Sequence, residues 1–479
     1  MKQLKYILFG LIGLIFGGCN LLEVDTVSDI TNEDYWQSPG DVESYLYGVY
    51  SQFRDLQNTT NYFEDRGDSF VPGMEGGPSN AWNQNLTAQN APNWIDFYKV
   101  IQHCNMVIKY TGPMNFGIEA DKNRLLAETY FMRAHTYFSL LRIWGDVPIE
   151  LEPTENDNKD KLPRSPVADV MAQVLSDVNK AIELFPEEGY KNKSRASKPA
   201  SYALKADALL WKAKVLAGGN ADLEAAIEAA DKAGAGLTLE TAFENIFAND
   251  KKNGKEVIFS IYFEKDEKDG QYGKQLKPRD IFVQDAVNKN DIPYAQSGAR
   301  SQYAPSPKLQ AAFDEFSSDI RRSKSIITAV TAANTVIGVF DNKFRGSTSS
   351  GNRYYDSDII VYRLAEMILF KAEALAALGR VNEAITELNK IRSRAGIPAY
   401  AGTVDKNAVE SEILKERFRE FYLELKRWPD LLRFHYAGTI DVYDEVPNLN
   451  GKSVPLYSPI PKTQIDRNPN LVQTEGYTD

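Results

Sequence analysis

Cysteine and histidine are scarce: two Cys and three His in 479 residues. That leaves too few soft ligands for zinc, haem or iron–sulfur centres. His103, His135 and His435 stand far apart and show no metal-ligand spacing. Positive charge is also short. Against 66 Asp and Glu there are 55 Lys and Arg, a net charge of −11. Nucleic-acid affinity rests on clustered Lys and Arg, so that class is disfavoured, and polyanionic ligands are weakly disfavoured with it. No glycine-rich phosphate loop occurs. Gly346–Gly351 reads Gly-Ser-Thr-Ser-Ser-Gly and lacks the spacing and following apolar helix of a nucleophile elbow. Beyond residue 18 no stretch approaches a membrane-spanning apolar run. What is abundant is aromatic: 25 Tyr, 23 Phe and 6 Trp. Tyr outnumbers Phe, and a phenol needs a polar partner, so some rings are expected to face water or a ligand.

The first residues read as an address. Lys2 and Lys5 precede the apolar run Tyr6 to Phe16, and Gly17-Gly18 then precede Cys19. The charged start, short apolar middle and small residues before the break are those of a secretory signal peptide. Phe16-Gly17-Gly18-Cys19 resembles a bacterial lipobox, in which Cys19 is lipidated. An ordinary signal peptide that happens to end in Cys is the alternative. Removal of residues 1–18 takes two lysines and leaves a net charge of −13. The body is then expected to be soluble and tethered by lipid. Cys104 becomes the remaining thiol. It lies in a helix-like segment beside His103, but neighbours in sequence do not face each other on a helix, so Cys104 is expected in the core rather than as a nucleophile.

The rest is dominated by helical patterning. Helices are expected over 41–56, 94–110, 120–144, 166–185 and 199–216. In 120–144, Leu126, Tyr130, Phe131, Ala134, Tyr137, Phe138 and Leu141 mix spacings of three and four and mark one face. Pro166 and Pro199 suit first helical turns. Two segments are alike: Leu209-Leu210-Trp211-Lys212-Ala213 and Ile368-Leu369-Phe370-Lys371-Ala372. Each is followed by a glycine turn and a second helix with Ala226-Ile227 or Ala384-Ile385, 13 and 12 residues after the first Ala. This resembles the tetratricopeptide helix pair. Two unrelated Ala-rich hairpins would carry the same residues. Between helices lie long irregular stretches, 57–93, 251–305, 333–357 and 438–479, with a short strand at 256–263. Many rings fall there: Tyr62, Phe63, Phe70, Trp82, Tyr272, Phe282, Tyr294, Tyr303, Tyr354 and Tyr355. A helical frame with ring-bearing loops is a binding architecture. Tyr35, Tyr47, Tyr130, Tyr137, Trp144, Trp211, Tyr362 and Trp428 fall on helices or framework motifs and are expected in the core. Arg66-Gly67-Asp68 spells an adhesion tripeptide, read here as a loop with a charge pair.

Many short motifs then occur in one order. They include Tyr47-Gly48-Val49-Tyr50, the set Trp94, Tyr98, Ile101 and Asn105, Gly145-Asp146-Val147-Pro148, and Pro163-Arg164-Ser165-Pro166. Further on come Tyr362-Arg363-Leu364-Ala365-Glu366, Arg392 with Arg394-Ala395-Gly396, and Glu416-Arg417, Glu420-Phe421, Glu424, Arg427-Trp428 and Asp430-Leu431. In that order the chain resembles the SusD/RagB family of bacterial outer-membrane nutrient-binding lipoproteins. Two departures touch local helix geometry: Leu425 stands where the family usually has Gly, and Pro429 interrupts the Arg-Trp motif. The run 416–433 reads as scaffold, with Arg417–Glu420 and Glu424–Arg427 spaced to pair along a helix.

The resemblance implies a mostly α SusD-like fold, with four tetratricopeptide-like helix pairs packed against an irregular, loop-rich half. It implies a signal peptide over 1–18 and one intertwined body made of regions 19–250 and 251–479. It implies a surface-exposed outer-membrane lipoprotein, not an enzyme and without cofactor, that captures oligosaccharide and delivers it to a SusC-like TonB-dependent transporter. A peptide-binding member of the family is the alternative, and a surface glycoside hydrolase a third. Sugar binding needs an aromatic face for the apolar C–H side of a pyranose and polar groups for its rim. Trp82, Trp94, Tyr294 and Tyr303 are the expected platforms, and Asp68, Arg66 and Asn83 the hydroxyl partners. Trp94 also matches a family position that lies at the glycan site of the starch-binding member.

Overall fold

The computed structural model describes residues 35–156, 159–268, 270, 274–293 and 300–478. Cys19, the signal segment, Tyr272 and Tyr294 lie outside the described residues.

The helices form where periodicity and caps dictate. Helix α1 (Pro39–Gln57) starts at Ser38, whose backbone N–H donates to Asp41 at 2.7 Å, with Pro39 in the first turn. Val42, Leu46, Val49 and Phe53 bury one stripe of it. Then follow β1 (Phe70–Pro72), α2 (Ile95–Thr111), α3 (Glu119–Trp144) and α4 (Val167–Leu184). Helix α5 (Lys198–Val215) is capped by Ser197, and α6 (Asn220–Gly234) follows a glycine turn. The chain crosses β2 (Val257–Ile261), β3 (Tyr303–Pro305), α7 (Pro307–Asp314), β4 (Ile326–Val330), β5 (Val336–Asp341), β6 (Ser347–Ser349), β7 (Asn352–Tyr354) and β8 (Ile359–Arg363). Helices α8 (Leu364–Ala377), α9 (Val381–Arg394), α10 (Lys406–Glu420) and α11 (Arg427–Tyr436) complete the frame.

Four pairs, α1–α2, α3–α4, α5–α6 and α8–α9, stack side by side, each helix against the next, with α6 meeting α8. The two self-similar segments are α5–α6 and α8–α9. Ala226, Ala372 and Ala384 are buried at their crossings. The strands form antiparallel two-stranded ribbons, β1–β3, β2–β8, β4–β5 and β6–β7. The stretch 333–357, expected to be irregular, therefore contains ribbon structure; β6 and β7 are three residues each, and Val336–Asp341 does not alternate apolar with polar, so no period of two shows.

The motifs resolve into joints. Asp146 accepts the first N–H of α4, from Val167, at 2.7 Å. Arg164 donates to the carbonyls of Asp146 and Trp144, while Val147 and Ser165 bridge. Gly145 ends α3 at φ 71°, a left-handed position open to glycine. Asn105 accepts from Arg133, which also grips Asp177 through two 2.8 Å bonds.

Tyr137, Trp144, Trp211, Tyr362 and Trp428 are core residues, as expected, and Cys104 is fully buried. Burial pushes the Cys104 thiol up to about 12. Tyr47 is a correction: it is 57 % exposed. It follows Leu46, so its side chain points away from the apolar stripe of α1. Tyr35 and Tyr130 are part-exposed.

The second core is ionic. Arg363 donates to Glu256, Glu420 and Glu424 at 2.6 to 2.9 Å. Arg321 donates to Asp319, Glu416 and Glu420. Burial alone would raise Glu420, but Arg394, Arg363 and Arg321 outweigh it and hold this carboxyl well below its usual range. The pairs expected along one helix are not the ones made. Arg417 pairs with Asp430 and Glu366, Glu424 with Arg363 and Lys343, and Arg427 with Asp68. For Glu424 and Arg427 the reason is that the helix breaks after Glu420; Arg417 and Glu420 share α10, but Arg417 is taken by Asp430 and Glu420 by Arg363, Arg394 and Arg321. Leu423 and Leu425 adopt left-handed φ of 62° and 59°, which turns the chain between α10 and α11. Pro429 falls in the first turn of α11, where no N–H is required.

Candidate functional site

Of the residues singled out for ligand contact, Trp82 and Asn83 lie on the loop 73–93 between β1 and α2, and Arg66 and Tyr303 bond to it; Asp68 lies just before β1, Trp94 just after the loop, and Tyr294 is outside the described residues. Trp82 is part-buried on the loop, and its indole N–H donates to the Phe70 carbonyl at 3.0 Å. The ring is thus fixed by its own polar edge while part of its surface stays open. Asn83 sits beside it and donates to the Pro78 and Ser79 carbonyls at 3.3 and 3.0 Å. From the far end of the chain, Asn448 donates to the Trp82 carbonyl and Lys452 to that of Asn83, at 3.0 and 2.9 Å.

Tyr303, Arg66 and Asp68 are buried beneath this surface. The Tyr303 hydroxyl donates to Asp65 at 3.0 Å and accepts the Ser79 N–H at 2.9 Å, which ties β3 to the loop. Its ring stacks on Phe70, centroids 5.2 Å apart. Arg66 donates to the Gln84 side chain and to the carbonyls of Leu456 and Pro455, and its guanidinium lies 4.6 Å from the Trp428 ring. Gln84 returns a bond to the Arg66 carbonyl from a left-handed φ of 53°. Asp68 is bound by Arg427 and Lys308. Burial would raise its carboxyl, but these two cations bring it to about 2. In this arrangement Arg66, Asp68 and Tyr303 have their polar atoms engaged inside the protein, and they position the loop. The loop rings Phe63, Phe70 and Tyr355 are likewise buried. Some loop rings were expected to face water or a ligand; Phe63, Phe70 and Tyr303 instead join the main hydrophobic core, while Tyr62, Trp82, Phe282 and Tyr354 keep part of their surface open.

Trp94 lies at the other end of the loop. It is 3 % exposed and packs edge-on against Tyr98 and Trp144. It lines a cleft of about 690 Å³ together with Tyr98, Gln102, Glu150 and Arg467. Sequence reasoning missed Lys452 and Asn448, which no motif marks; their contacts to the loop span 366 or more residues.

This loop holds a fixed, part-exposed ring, with Asn83 beside it in sequence and Lys452 on the Asn83 carbonyl; a part-open aromatic face suits a polar ligand with one apolar face. Among the described residues no group of three acidic, His or Cys side chains is placed to hold a metal ion.

Comparisons with known proteins agree with the fold. The model described as "SusD family" matches residues 319–477, and that described as "Starch-binding associating with outer membrane" matches residues 22–210. SusD-like protein P38 of Formosa agariphila is 28 % identical over 100 % of both chains. Starch-binding protein SusD of Bacteroides thetaiotaomicron is 38 % identical over 137 residues, 28 % of this chain and 24 % of that one. A SusD superfamily structure from Bacteroides fragilis superposes with a TM-score of 0.82 at 26 % identity, covering 93 % of this chain and all of that one. With two family models on separate stretches, a full-length relative and the shared fold, the chain belongs to the SusD/RagB family.

Proposed function

We propose that this protein is a glycan-binding lipoprotein of the outer membrane, which captures an oligosaccharide at the cell surface and passes it to a SusC-like TonB-dependent transporter. It acts as a binder, not as an enzyme. Membership of a family whose models and relatives carry starch-binding and outer-membrane names supports the glycan class and the location. The anchor would be Cys19.

The observation that carries the reading is Trp82. Its ring is part-exposed and its indole N–H is already satisfied, so binding a sugar on it strands no polar group. The loop beneath is bolted by Tyr303, Arg66 and Gln84, so little ordering entropy is lost on binding. Asn83, next to Trp82 in sequence, and Lys452, bound to the Asn83 carbonyl, are the nearest polar side chains proposed to meet hydroxyls. Tyr294 and Trp94 remain proposed contributors.

A glycan array followed by calorimetry tests this. The expected result is reversible binding of an intact oligosaccharide with no reducing ends released, weakened roughly tenfold or more by Trp82→Ala at unchanged melting temperature. Unchanged affinity in that variant would remove the Trp82 site. Turnover by the purified protein would overturn the binder reading.

A further inference from the structure

The triplet Asn-Gly-Lys occurs at 253–255 and again at 450–452. Asparagine before glycine is the pair in which a backbone nitrogen most readily attacks the side-chain amide, because glycine has no Cβ to obstruct the approach. Both asparagines are exposed. With the triplets identical, local structure decides how each behaves.

The first copy is clamped. Asn253 Oδ1 accepts the Lys193 N–H at 3.1 Å. The Gly254 carbonyl accepts from Lys193 Nζ at 2.7 Å and from the Val257 N–H at 3.1 Å. Lys193 is itself fixed, since its carbonyl accepts the Ser260 N–H of β2 at 2.9 Å. The Asn253 amide must break its bond before it can turn toward Gly254. The second copy is open. Asn450, Gly451 and Lys452 are all exposed. Among the described residues the Asn450 side chain makes no hydrogen bond, and the Gly451 N–H donates none.

The open copy lies where the tail holds the Trp82 loop. Leu449 is fully buried, and its carbonyl accepts the Lys452 N–H at 2.8 Å across the turn. On either side of that turn, Asn448 Nδ2 donates to the Trp82 carbonyl and Lys452 Nζ to the Asn83 carbonyl. A change inside the turn therefore acts on both ties.

We propose that Asn450 is a site of spontaneous deamidation, and that the change loosens the Trp82 loop. The Gly451 nitrogen gives up its proton to hydroxide and bonds to Asn450 Cγ. The Cγ–Nδ2 bond breaks, and ammonia leaves with a proton taken from water. The five-membered imide then takes up one water. Opening at Cγ leaves aspartate. Opening at the backbone carbonyl leaves isoaspartate, whose chain runs through the side chain and is one methylene longer. The sum is amide plus water to carboxylic acid plus ammonia, with nothing oxidised or reduced. Either product places a carboxylate two residues from Lys452. An ionised acceptor holds an ammonium more strongly than a carbonyl does, so Lys452 is drawn off Asn83. The longer isoaspartyl link also strains the Leu449–Lys452 bond, because Leu449 is anchored in the core. The chemistry stands apart from the glycan-binding reading; its effect on affinity rests on that reading.

The test is peptide mass mapping of the purified protein aged in mildly alkaline buffer, with the guanidinium-unfolded chain beside it. In the folded protein Asn450 converts roughly tenfold faster than Asn253, and in the unfolded chain the two convert within about twofold of each other. Asn450→Gln, whose longer side chain closes the ring poorly, leaves that segment unconverted. Aged wild type and fresh Asn450→Asp both show faster amide hydrogen exchange over 79–84 and glycan binding about threefold weaker, and aged Asn450→Gln shows neither. No conversion at Asn450, or conversion of Asn253 at an equal rate in the folded protein, overturns the site. Conversion with unchanged exchange over 79–84 overturns its hold on the loop. Faster exchange at full affinity upholds both, and counts instead against Trp82 as the glycan platform.

Discussion

Arg427 grips Asp68 with two hydrogen bonds, Nε to Oδ1 at 2.6 Å and Nη2 to Oδ2 at 2.8 Å, across 359 residues of sequence. Both side chains are buried. The pair joins the segment that leads into the Trp82 loop to the first turn of α11. Asp68→Asn leaves the guanidinium buried without its counter-charge and is expected to destabilise the fold by about 3–5 kcal/mol. Urea denaturation measures this. A loss under about 1 kcal/mol would show that the pair does not fasten the two halves.

Leu425 offers a test of backbone strain. At φ 59° a side chain is disfavoured, yet Leu425 is also buried. Leu425→Ala gives up the apolar contact and keeps the strain; Leu425→Gly gives up the contact and relieves it. The glycine variant should therefore be the more stable of the two, by about 1 kcal/mol, the reverse of the order in a helix. An alanine variant as stable as the glycine one would rule out strain here.

Glu64 governs a pH dependence. Burial pushes its carboxyl up to about 8, against the opposing pull of the Lys426 N–H and Ser69. The folded state keeps this proton to higher pH than the unfolded chain, whose carboxyl has the ordinary value of 4.5. The group's contribution is full below that value and declines as pH rises to about 8, by on the order of 3–5 kcal/mol. Glu64→Gln should flatten the stability profile between about pH 5 and 8. Asp68 and Glu373 act in the opposite sense. Arg427 and Lys308, or Arg433 and Lys214, overcome burial and lower each to about 2, so their stabilisation is present above the ordinary carboxyl range and lost as pH falls toward 2. Melts across pH, wild type beside Glu64→Gln, separate the two limbs; an unchanged slope above pH 5 would contradict the assignment to Glu64.

Tyr303→Phe tests whether loop rigidity serves binding. It deletes the hydroxyl that joins Asp65 to the Ser79 N–H. A stability loss of about 1–3 kcal/mol is expected, with glycan affinity down a few-fold although Tyr303 is itself buried. Calorimetry showing full affinity would mean the loop does not need this bolt.

Much of the frame was legible in the sequence. The helices over 41–56, 94–110, 120–144, 166–185 and 199–216 occur within a residue or two, because apolar spacing and Pro or Ser at their starts act locally. Pairing of the two self-similar segments was legible for the same reason. The ionic core was not. Arg363 and Glu256 are neighbours only after β2 and β8 pair; of the pairs that helical spacing suggested, Glu424–Arg427 is disrupted by the turn at Leu423–Leu425, and Arg417–Glu420 loses both members to partners on other elements. Tyr47 was misplaced because its motif neighbours, Val49 and Leu46, are core while it is not. The loop rings were legible as residues of the long loops but not as to which faced inward, since that depends on contacts such as Asn448 to Trp82 from hundreds of residues away.

The last segment of the chain is sewn into the first third. Ser458 donates to the Ile143 carbonyl, Trp144 to that of Pro459, and Arg164 to that of Val472. Two of these contacts span 308 and 315 residues. Closing a loop of that length costs chain entropy before any contact repays it, and such non-local closure slows folding. The joint between α3 and α4 is thus a long-range clasp, and cutting its contacts should loosen the exit of α3 before it touches the helix pairs further along the stack.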